Sequence, residues 1–306
     1  MKHQRTNWFN MSRILVLLAG LSIVFGCAAF QLSKNPTISR SIIVGKQNRE
    51  YVLVIPSTYD EKTPLPLFFD FHGSGSTPEQ QIAYSDFKRL AEKKEFILVA
   101  PKGLHGNYGR ASWNTTMDPQ SVDDIGLIKS IIKELTRELK IDEKRIYAAG
   151  MSGGARMSSR AACELSYIFA AIAPVAGIQF PDDCTPSRAI SVITFHGKKD
   201  RVNHYELREE SRPYWKKGVE DSVARWVKRN NCKQDPHIEK ISDVVTKLTW
   251  NKCNDEAEVV FYQIEDGGHT WPGSPIVLDS PWAGKTNSDI NASELIWDFF
   301  EKHPFH

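Results

Sequence analysis

The fold of this chain is decided by residues 144–154, whose sequence is Lys-Arg-Ile-Tyr-Ala-Ala-Gly-Met-Ser-Gly-Gly. A short apolar run typical of a β-strand leads into Ser152, and a helical pattern follows from about residue 155. Glycines on both sides of Ser152 allow a sharp turn between strand and helix, and such a turn leaves the serine hydroxyl exposed at the end of the strand. The N–H groups that begin the helix would face that hydroxyl. The pattern therefore predicts a nucleophilic serine on a strand-to-helix turn.

Strands and helices alternate on both sides of this stretch. Short apolar runs predict strands over 51–55, 67–71, 96–100, 144–150, 169–173, 190–195 and 259–264. Helical spacing of apolar residues, with capping signals at two starts, predicts helices over about 77–95, 122–139, 155–165, 218–229 and 288–302. This alternation predicts an α/β fold with a mostly parallel sheet and helices on both faces, in a single domain.

The first residues have the pattern of an export signal. Three cationic residues precede an uncharged apolar run, Ile14 to Phe25, which is too short to span a bilayer. We expect residues 1–26 to be a signal peptide, 27–40 a tether and 41–306 the catalytic domain. The run Val-Phe-Gly-Cys that ends at Cys27 also resembles a lipoprotein cleavage site, so Cys27 is a candidate for lipidation and for a lipid anchor. The expected location is secreted or attached to the cell envelope.

Cysteines and charge narrow the classes of function. With Cys27 set aside, an even set of four remains, namely Cys163, Cys184, Cys232 and Cys253. In an exported protein we expect disulfides, and sequence neighbours form the simplest of the three possible pairings. No pair has a zinc-like spacing, so no metal is expected. Removal of residues 1–26 would change the formal charge from +2 to −1, which does not favour nucleic acid as a partner.

A serine hydroxyl needs a histidine to take its proton and a carboxylate to orient that histidine. Ser152, Asp200 and His269 each follow a separate predicted strand, and the carboxyl ends of parallel strands meet at one edge of the sheet. Their order along the chain is that of α/β-hydrolases. Asp182 or Asp183 is the alternative carboxylate. His196, four residues before Asp200, fits a structural hydrogen-bonding partner better than a base.

An oxyanion hole needs two backbone N–H donors. Gly153, the residue after the serine, fits the first donor. Ser74 lies in the sequence His-Gly-Ser-Gly that follows an early predicted strand, and its backbone N–H fits the second. The same glycines would also suit a strand-to-helix turn that has no catalytic role.

Several short motifs occur together and in order: His72-Gly, Trp113-Asn, Asp-Asp-Ile-Gly over 123–126, the serine turn, His-Gly-Lys-Lys-Asp over 196–200 and Gly-His-Thr-Trp-Pro-Gly over 268–273. Together, across about residues 40–303, they resemble the secreted polyhydroxybutyrate depolymerase and feruloyl esterase family of α/β-hydrolases. The resemblance implies Ser152 as nucleophile, Asp200 as orienting acid and His269 as base. It also implies a disulfide between Cys232 and Cys253. The sequence departs from the family over 113–117, where many relatives have cysteines.

The resulting hypothesis is a serine esterase that acts through an acyl-enzyme on feruloyl or short hydroxyalkanoate esters, small or attached to cell-wall polysaccharide, without a cofactor. Trp113, Trp271 and Trp282 are candidates for an aromatic platform under a feruloyl ring or sugar, with ordinary packing as the alternative. Two other functions stay open. One is a serine peptidase using the same three residues, and the other is an exported protein that binds a carbohydrate or a partner without catalysis.

Overall fold

The computed structural model describes residues 36–105, 109–277 and 280–305. In chain order the strands are β1 (Thr37–Val44), β2 (Gln47–Val54), β3 (Leu65–Phe71), β4 (Ile97–Pro101), β5 (Leu104–His105), β6 (Ala111–Ser112), β7 (Ile141–Met151), β8 (Ala171–Val175), β9 (Ser191–Gly197), β10 (His237–Lys240), β11 (Val245–Trp250) and β12 (Val259–Ile264). The helices are α1 (Pro78–Ser85), α2 (Phe87–Lys94), α3 (Asp124–Glu138), α4 (Gly153–Glu164), α5 (Val219–Arg229) and α6 (Ala292–Glu301).

Ten of these strands form one sheet in the order β1-β2-β4-β3-β7-β8-β9-β12-β11-β10, and β5 pairs with β6 separately. The six strands from β4 to β12 in this order are parallel to their neighbours. The pairs at both edges are antiparallel. The predicted mostly parallel sheet is therefore confirmed, with antiparallel extensions at each edge.

Two apolar cores cover the two faces of the sheet, because successive side chains of a strand point to opposite sides. Phe69 of β3 joins a core with α3, α4 and α5, which includes Leu135 and Trp226. Phe68, the preceding residue, joins a core with α1, α2 and α6, which includes Phe87 and Trp297. Helices on both faces are thus confirmed.

Three predictions of local structure need correction. Strand β1 begins at Thr37, so the last four residues of the expected tether belong to the sheet. The single helix expected over 77–95 is two helices, because Asp86 between them has a left-handed backbone with φ of 58°. Strands β5, β6, β10 and β11 were not predicted. The signal peptide and Cys27 lie outside the described residues.

Both expected disulfides are present, since Cys163 is bonded to Cys184 and Cys232 to Cys253. The pairing of sequence neighbours is therefore confirmed. Among the described residues, no helix is long and apolar enough to cross a membrane.

Candidate active site

Ser152 lies on a strained turn between β7 and α4. Its φ of 55° and ψ of −111° are uncommon for a residue with a side chain. The turn is packed so closely against β3 that a Cβ on Gly154 would collide with the carbonyl oxygen of Phe71. Glycine is required here by this close approach of two backbones. The backbone N–H of Ser152 donates to the carbonyl of Val175, which ties the turn to the end of β8 (2.9 Å).

Asp200 and His269 are joined by a hydrogen bond beyond the ends of β9 and β12. His269 Nδ1 lies 2.8 Å from Asp200 Oδ2, and both side chains are buried. Because an ionised carboxylate can only accept hydrogen bonds, Nδ1 carries the proton and Nε2 of a neutral ring keeps its lone pair. The hydrogen bond therefore holds the ring of His269 in one tautomer.

The surroundings of Asp200 favour its charged form. Burial alone would raise the pKa of this carboxyl, but the neighbouring His269 and His196 together hold it well below its usual range. Oδ1 accepts the backbone N–H groups of Val202 and Asn203 at 2.8 and 2.9 Å. Asp200 is thus an anion with hydrogen bonds to both oxygens.

His196 contacts the same carboxylate as His269. Its Nε2 lies 3.2 Å from Asp200 Oδ2 and 2.9 Å from the carbonyl oxygen of Asn203. Its ring is buried, and Nδ1 has no hydrogen-bond partner among the described residues. Both acceptors lie beside Nε2, so this nitrogen is the donor and His196 is a hydrogen-bonding partner of Asp200.

Gly153 and Ser74 are brought together beside the serine turn. A Cβ added to Gly153 would lie 3.0 Å from the backbone nitrogen of Ser74. The loop that carries Ser74 is fixed by His72, whose Nδ1 lies 2.8 Å from the carbonyl of Gly73 and whose Nε2 accepts the N–H of Gly103 at 2.9 Å. This use of Nε2 as an acceptor makes Nδ1 the donor, and burial lowers the pKa of His72, which keeps the ring neutral.

The three candidate tryptophans have different environments. Trp271 is fully buried, its N–H donates to Ser293 Oγ at 2.9 Å, and its ring packs against Phe87. Trp113 is 8% exposed, and its N–H donates to the carbonyl of His72 at 2.8 Å. Neither presents a ring face to solvent, so the prediction of a platform that includes these two residues is wrong. Trp282 is 64% exposed and lies 6.0 Å from His269, measured between ring centroids.

The alternative carboxylates do not replace Asp200. Asp182 and Asp183 are exposed on a turn, and Asp182 lies 3.1 Å from Arg225. In the Asp-Asp motif near residue 123, Asp124 has a structural role, because it pairs with the buried Arg49 at 2.7 Å. No group of three potential metal ligands is present within the described ranges.

Sequence reasoning missed two features of the site. His72 entered only as part of a motif, although its position directly before Gly73 is a usable signal for a residue that holds the loop. The other is Arg156, on α4 one turn after Ser152. Its guanidinium lies 4.2 Å from the ring centroid of Tyr214. The sequence contains no signal for this contact, since Tyr214 is distant along the chain.

Comparison with known proteins shows that the chain matches an esterase family. The family model described as esterase PHB depolymerase matches residues 50–218, which is more than half of the chain. The chain belongs to this esterase family. The Asp–His pair and the strained serine therefore lie in a chain of a carboxylic ester hydrolase family, and the resemblance seen in the motifs is confirmed.

Two relatives of this family member are feruloyl esterases by name. Feruloyl esterase B of Piromyces equi is 28% identical over 72% of this chain, which spans only 42% of that protein. Probable feruloyl esterase C of Aspergillus niger is 26% identical over 94% of this chain and 96% of its own length.

Solved structures show the same fold. An acetyl xylan esterase from Aspergillus awamori has a TM-score of 0.58 at 14% identity, over 76% of this chain and 94% of its own. A thermostable esterase has a TM-score of 0.57 at 15% identity, over 89% of this chain and 63% of its own. The α/β-hydrolase fold of this family member is therefore confirmed.

Proposed function

We propose that this protein hydrolyses carboxylic esters through an acyl-enzyme on Ser152, with feruloyl or short hydroxyalkanoate esters as substrates. The observation that carries the proposal is the buried hydrogen bond between Asp200 and His269 at the sheet edge that also carries the strained Ser152. Family membership and the names of the relatives support the ester as the bond that is cleaved.

In the proposed reaction, His269 Nε2 takes the proton of Ser152 while Oγ attacks the ester carbonyl carbon. The backbone N–H groups of Gly153 and Ser74 stabilise the resulting oxyanion. The tetrahedral intermediate collapses, and the alcohol leaves with the proton held by His269. A water molecule, deprotonated by His269, then attacks the acyl carbonyl and releases the carboxylic acid and free Ser152.

The exposure of Trp282 supports a feruloyl ester as the substrate. Trp282 is the one candidate tryptophan whose ring is exposed, and its position beside His269 suits stacking on an aromatic acyl group. We therefore expect Trp282→Ala to raise KM for methyl ferulate by about fivefold, because a stacking contact of this kind contributes about 1 kcal/mol. KM for 4-nitrophenyl acetate, which has no ring in its acyl part, should change much less.

The proposal is tested by comparing the full chain with its Ser152→Ala variant. Initial rates would be measured on methyl ferulate, 4-nitrophenyl acetate and butyrate, and a soluble 3-hydroxybutyrate oligomer. We expect turnover of at least one ester, reduced about 10⁴-fold or more in Ser152→Ala because the nucleophile is removed. Both proteins would be checked for equal thermal unfolding. Turnover that survives in the variant, or none in the folded parent, would contradict the proposal and favour the binding-protein alternative.

We also propose that the protein works outside the cytoplasm. The two disulfides support an oxidising compartment. Cleavage after residue 26 and lipidation of Cys27 are part of this proposal. Mass spectrometry of the mature N-terminus would test it, since a diacylglyceryl group on Cys27 and an unmodified terminus have different masses.

A further inference from the structure

Two nitrogen atoms of the Arg156 side chain are buried without a hydrogen-bond acceptor. The residue is 6% exposed, and its Nε and Nη1 have no hydrogen-bond acceptor in the part of the chain that the structure describes. Within the same ranges, no carboxylate forms an ion pair with it. The guanidinium lies over the ring of Tyr214. Burial of a charge without an ion pair is unfavourable, so an anionic group that binds here would be stabilised by these N–H groups.

A second buried arginine on the same helix has acceptors for its guanidinium. Arg160, one turn further along α4 than Arg156, binds Glu164 and the carbonyl of Asn114. Arg49 has a carboxylate partner, Asp124, although its Nε and Nη1 also lack an acceptor in the described part of the chain. Arg156 differs from both, because no carboxylate of the described residues forms an ion pair with it.

Arg156 lies one helical turn from Ser152 of the proposed active site. Its backbone N–H donates to the carbonyl of Ser152 at 3.1 Å, so the two residues are one helical turn apart on the same face of α4. Helical side chains lean toward the N-terminal end of their helix, which here is the end that carries Ser152. Tyr214, which the guanidinium covers, also lines a cavity of about 140 Å³ with Thr116 and Gln179.

We propose that Arg156 binds a carboxylate of the substrate, so that the preferred ester carries a second, anionic group. A guanidinium offers two parallel N–H donors that match the two oxygens of a carboxylate, and it stays charged when buried. The inference rests on the proposed esterase activity and adds the class of substrate. The carboxylate could belong to the acyl part or to the alcohol part of the ester, and the test separates the two.

The experiment compares pairs of esters that differ only in a free or capped carboxylate. The acyl pair is mono-4-nitrophenyl adipate and its methyl-capped diester. The alcohol pair is 4-acetoxybenzoate and its methyl ester. Rates with the full chain are corrected with Ser152→Ala, and the measured quantity is the ratio of kcat/KM for the free carboxylate to that for the capped one. We expect a ratio of at least about ten in one pair, since a charge-assisted bidentate contact is worth more than about 1.4 kcal/mol.

Variants of the arginine assign this preference to its side chain. Arg156→Met keeps the length and removes the charge, and we expect its ratio to fall to about one. Arg156→Lys keeps the charge without the two parallel N–H donors and should give an intermediate ratio. Lys216→Met is the matched control, because Lys216 is an exposed cation that lines the cavity beside Tyr214. Its ratio should equal that of the parent.

The outcomes separate this inference from the proposed function. Failure of the full chain to hydrolyse any of these esters through Ser152 would reject the esterase proposal itself. Turnover that depends on Ser152, with a ratio near one in both pairs, would overturn the role of Arg156 alone. That role would also be overturned if Arg156→Met kept the preference, or if Lys216→Met removed it. Because the first ratio is measured on the parent protein, the test does not depend on the folding of a variant.

Discussion

Two buried aspartates, Asp70 and Asp200, have pKa values that are shifted in opposite directions. Asp70 lies in β3, with Gln81 Nε2 at 2.8 Å and Ser85 Oγ at 2.7 Å as its donors. Burial raises the pKa of Asp70 to about 7, and these two neutral donors offset the effect only in part. At Asp200, burial acts in the same sense, but His269 and His196 lower the pKa of the carboxyl below its ordinary value.

The difference teaches that burial alone does not decide whether a carboxyl group in this protein is charged. The hydrogen-bond donors around the group decide it. Asp200 has partners that can carry positive charge, so it stays anionic at the proposed active site, where it can hold His269. Asp70 has partners that cannot, so it titrates near neutral pH in a part of the scaffold with no proposed chemistry.

Substitution of Asp200 should have the largest effect. Asp200→Asn removes the charge that holds Nδ1–H of His269, so we expect kcat on 4-nitrophenyl butyrate to fall about 10⁴-fold. Asp70→Asn is the matched control, and its kcat should stay within about threefold of the parent. If Asp200→Asn kept more than a tenth of the activity, the proposed role of Asp200 in orienting His269 would be contradicted.

The second prediction concerns stability and pH. Between about pH 4 and pH 7, folded Asp70 keeps a proton that the unfolded chain releases, so the free energy of unfolding should fall as the pH rises. A pKa near 7 corresponds to a loss of up to about 4 kcal/mol from this group. Asparagine cannot titrate, so Asp70→Asn should remove this part of the pH dependence. Urea unfolding at pH 5 and pH 8 measures the difference.

Asp200 provides the control for that experiment. Its depressed pKa means that its contribution to stability is present at neutral pH and is lost only as the pH falls below the ordinary range of an aspartate, near 4. Ionisation of the Asp200 carboxyl should therefore add nothing to the slope between pH 5 and pH 8. An equal slope in the parent and in Asp70→Asn would show that Asp70 is ionised in the folded protein throughout this range.

The smallest effect is expected at His196, which shares Asp200 with His269. His196→Leu removes one donor from Oδ2, and we expect kcat/KM to fall about tenfold. His196→Gln keeps an N–H donor and should recover part of the loss. Equal losses in His196→Leu and His196→Gln would show that this donor does not contribute to the rate.

The central strands could be predicted because burial on both faces makes them continuous apolar runs, as in β4 and β9. The edge strands could not. Strand β10 is exposed along its whole length, and every second residue of β1 is exposed, so β10 contains no apolar run and β1 only the three residues 42–44. The break between α1 and α2 depends on the left-handed backbone of Asp86, which its residue type permits but does not require.

The residues of the proposed triad could be found because each follows a strand, and parallel topology brings strand ends together. The tryptophans show the limit of this reasoning. Trp271 and Trp282 both lie in the long segment after β12, and only their partners in space distinguish a buried ring from an exposed one. The lack of an acceptor around Arg156 is likewise a property of neighbours that are distant in sequence.

The contact of Gly154 with the carbonyl of Phe71 has a consequence for how this protein can change under selection. Here backbone meets backbone, so no neighbouring side chain can shrink to make room for a larger residue. In a library of random variants, this position should be almost invariant among folded clones. Position 282, where the side chain faces solvent, should accept many residues, so new substrate preferences would arise from the rim of the site and not from the turn beneath it.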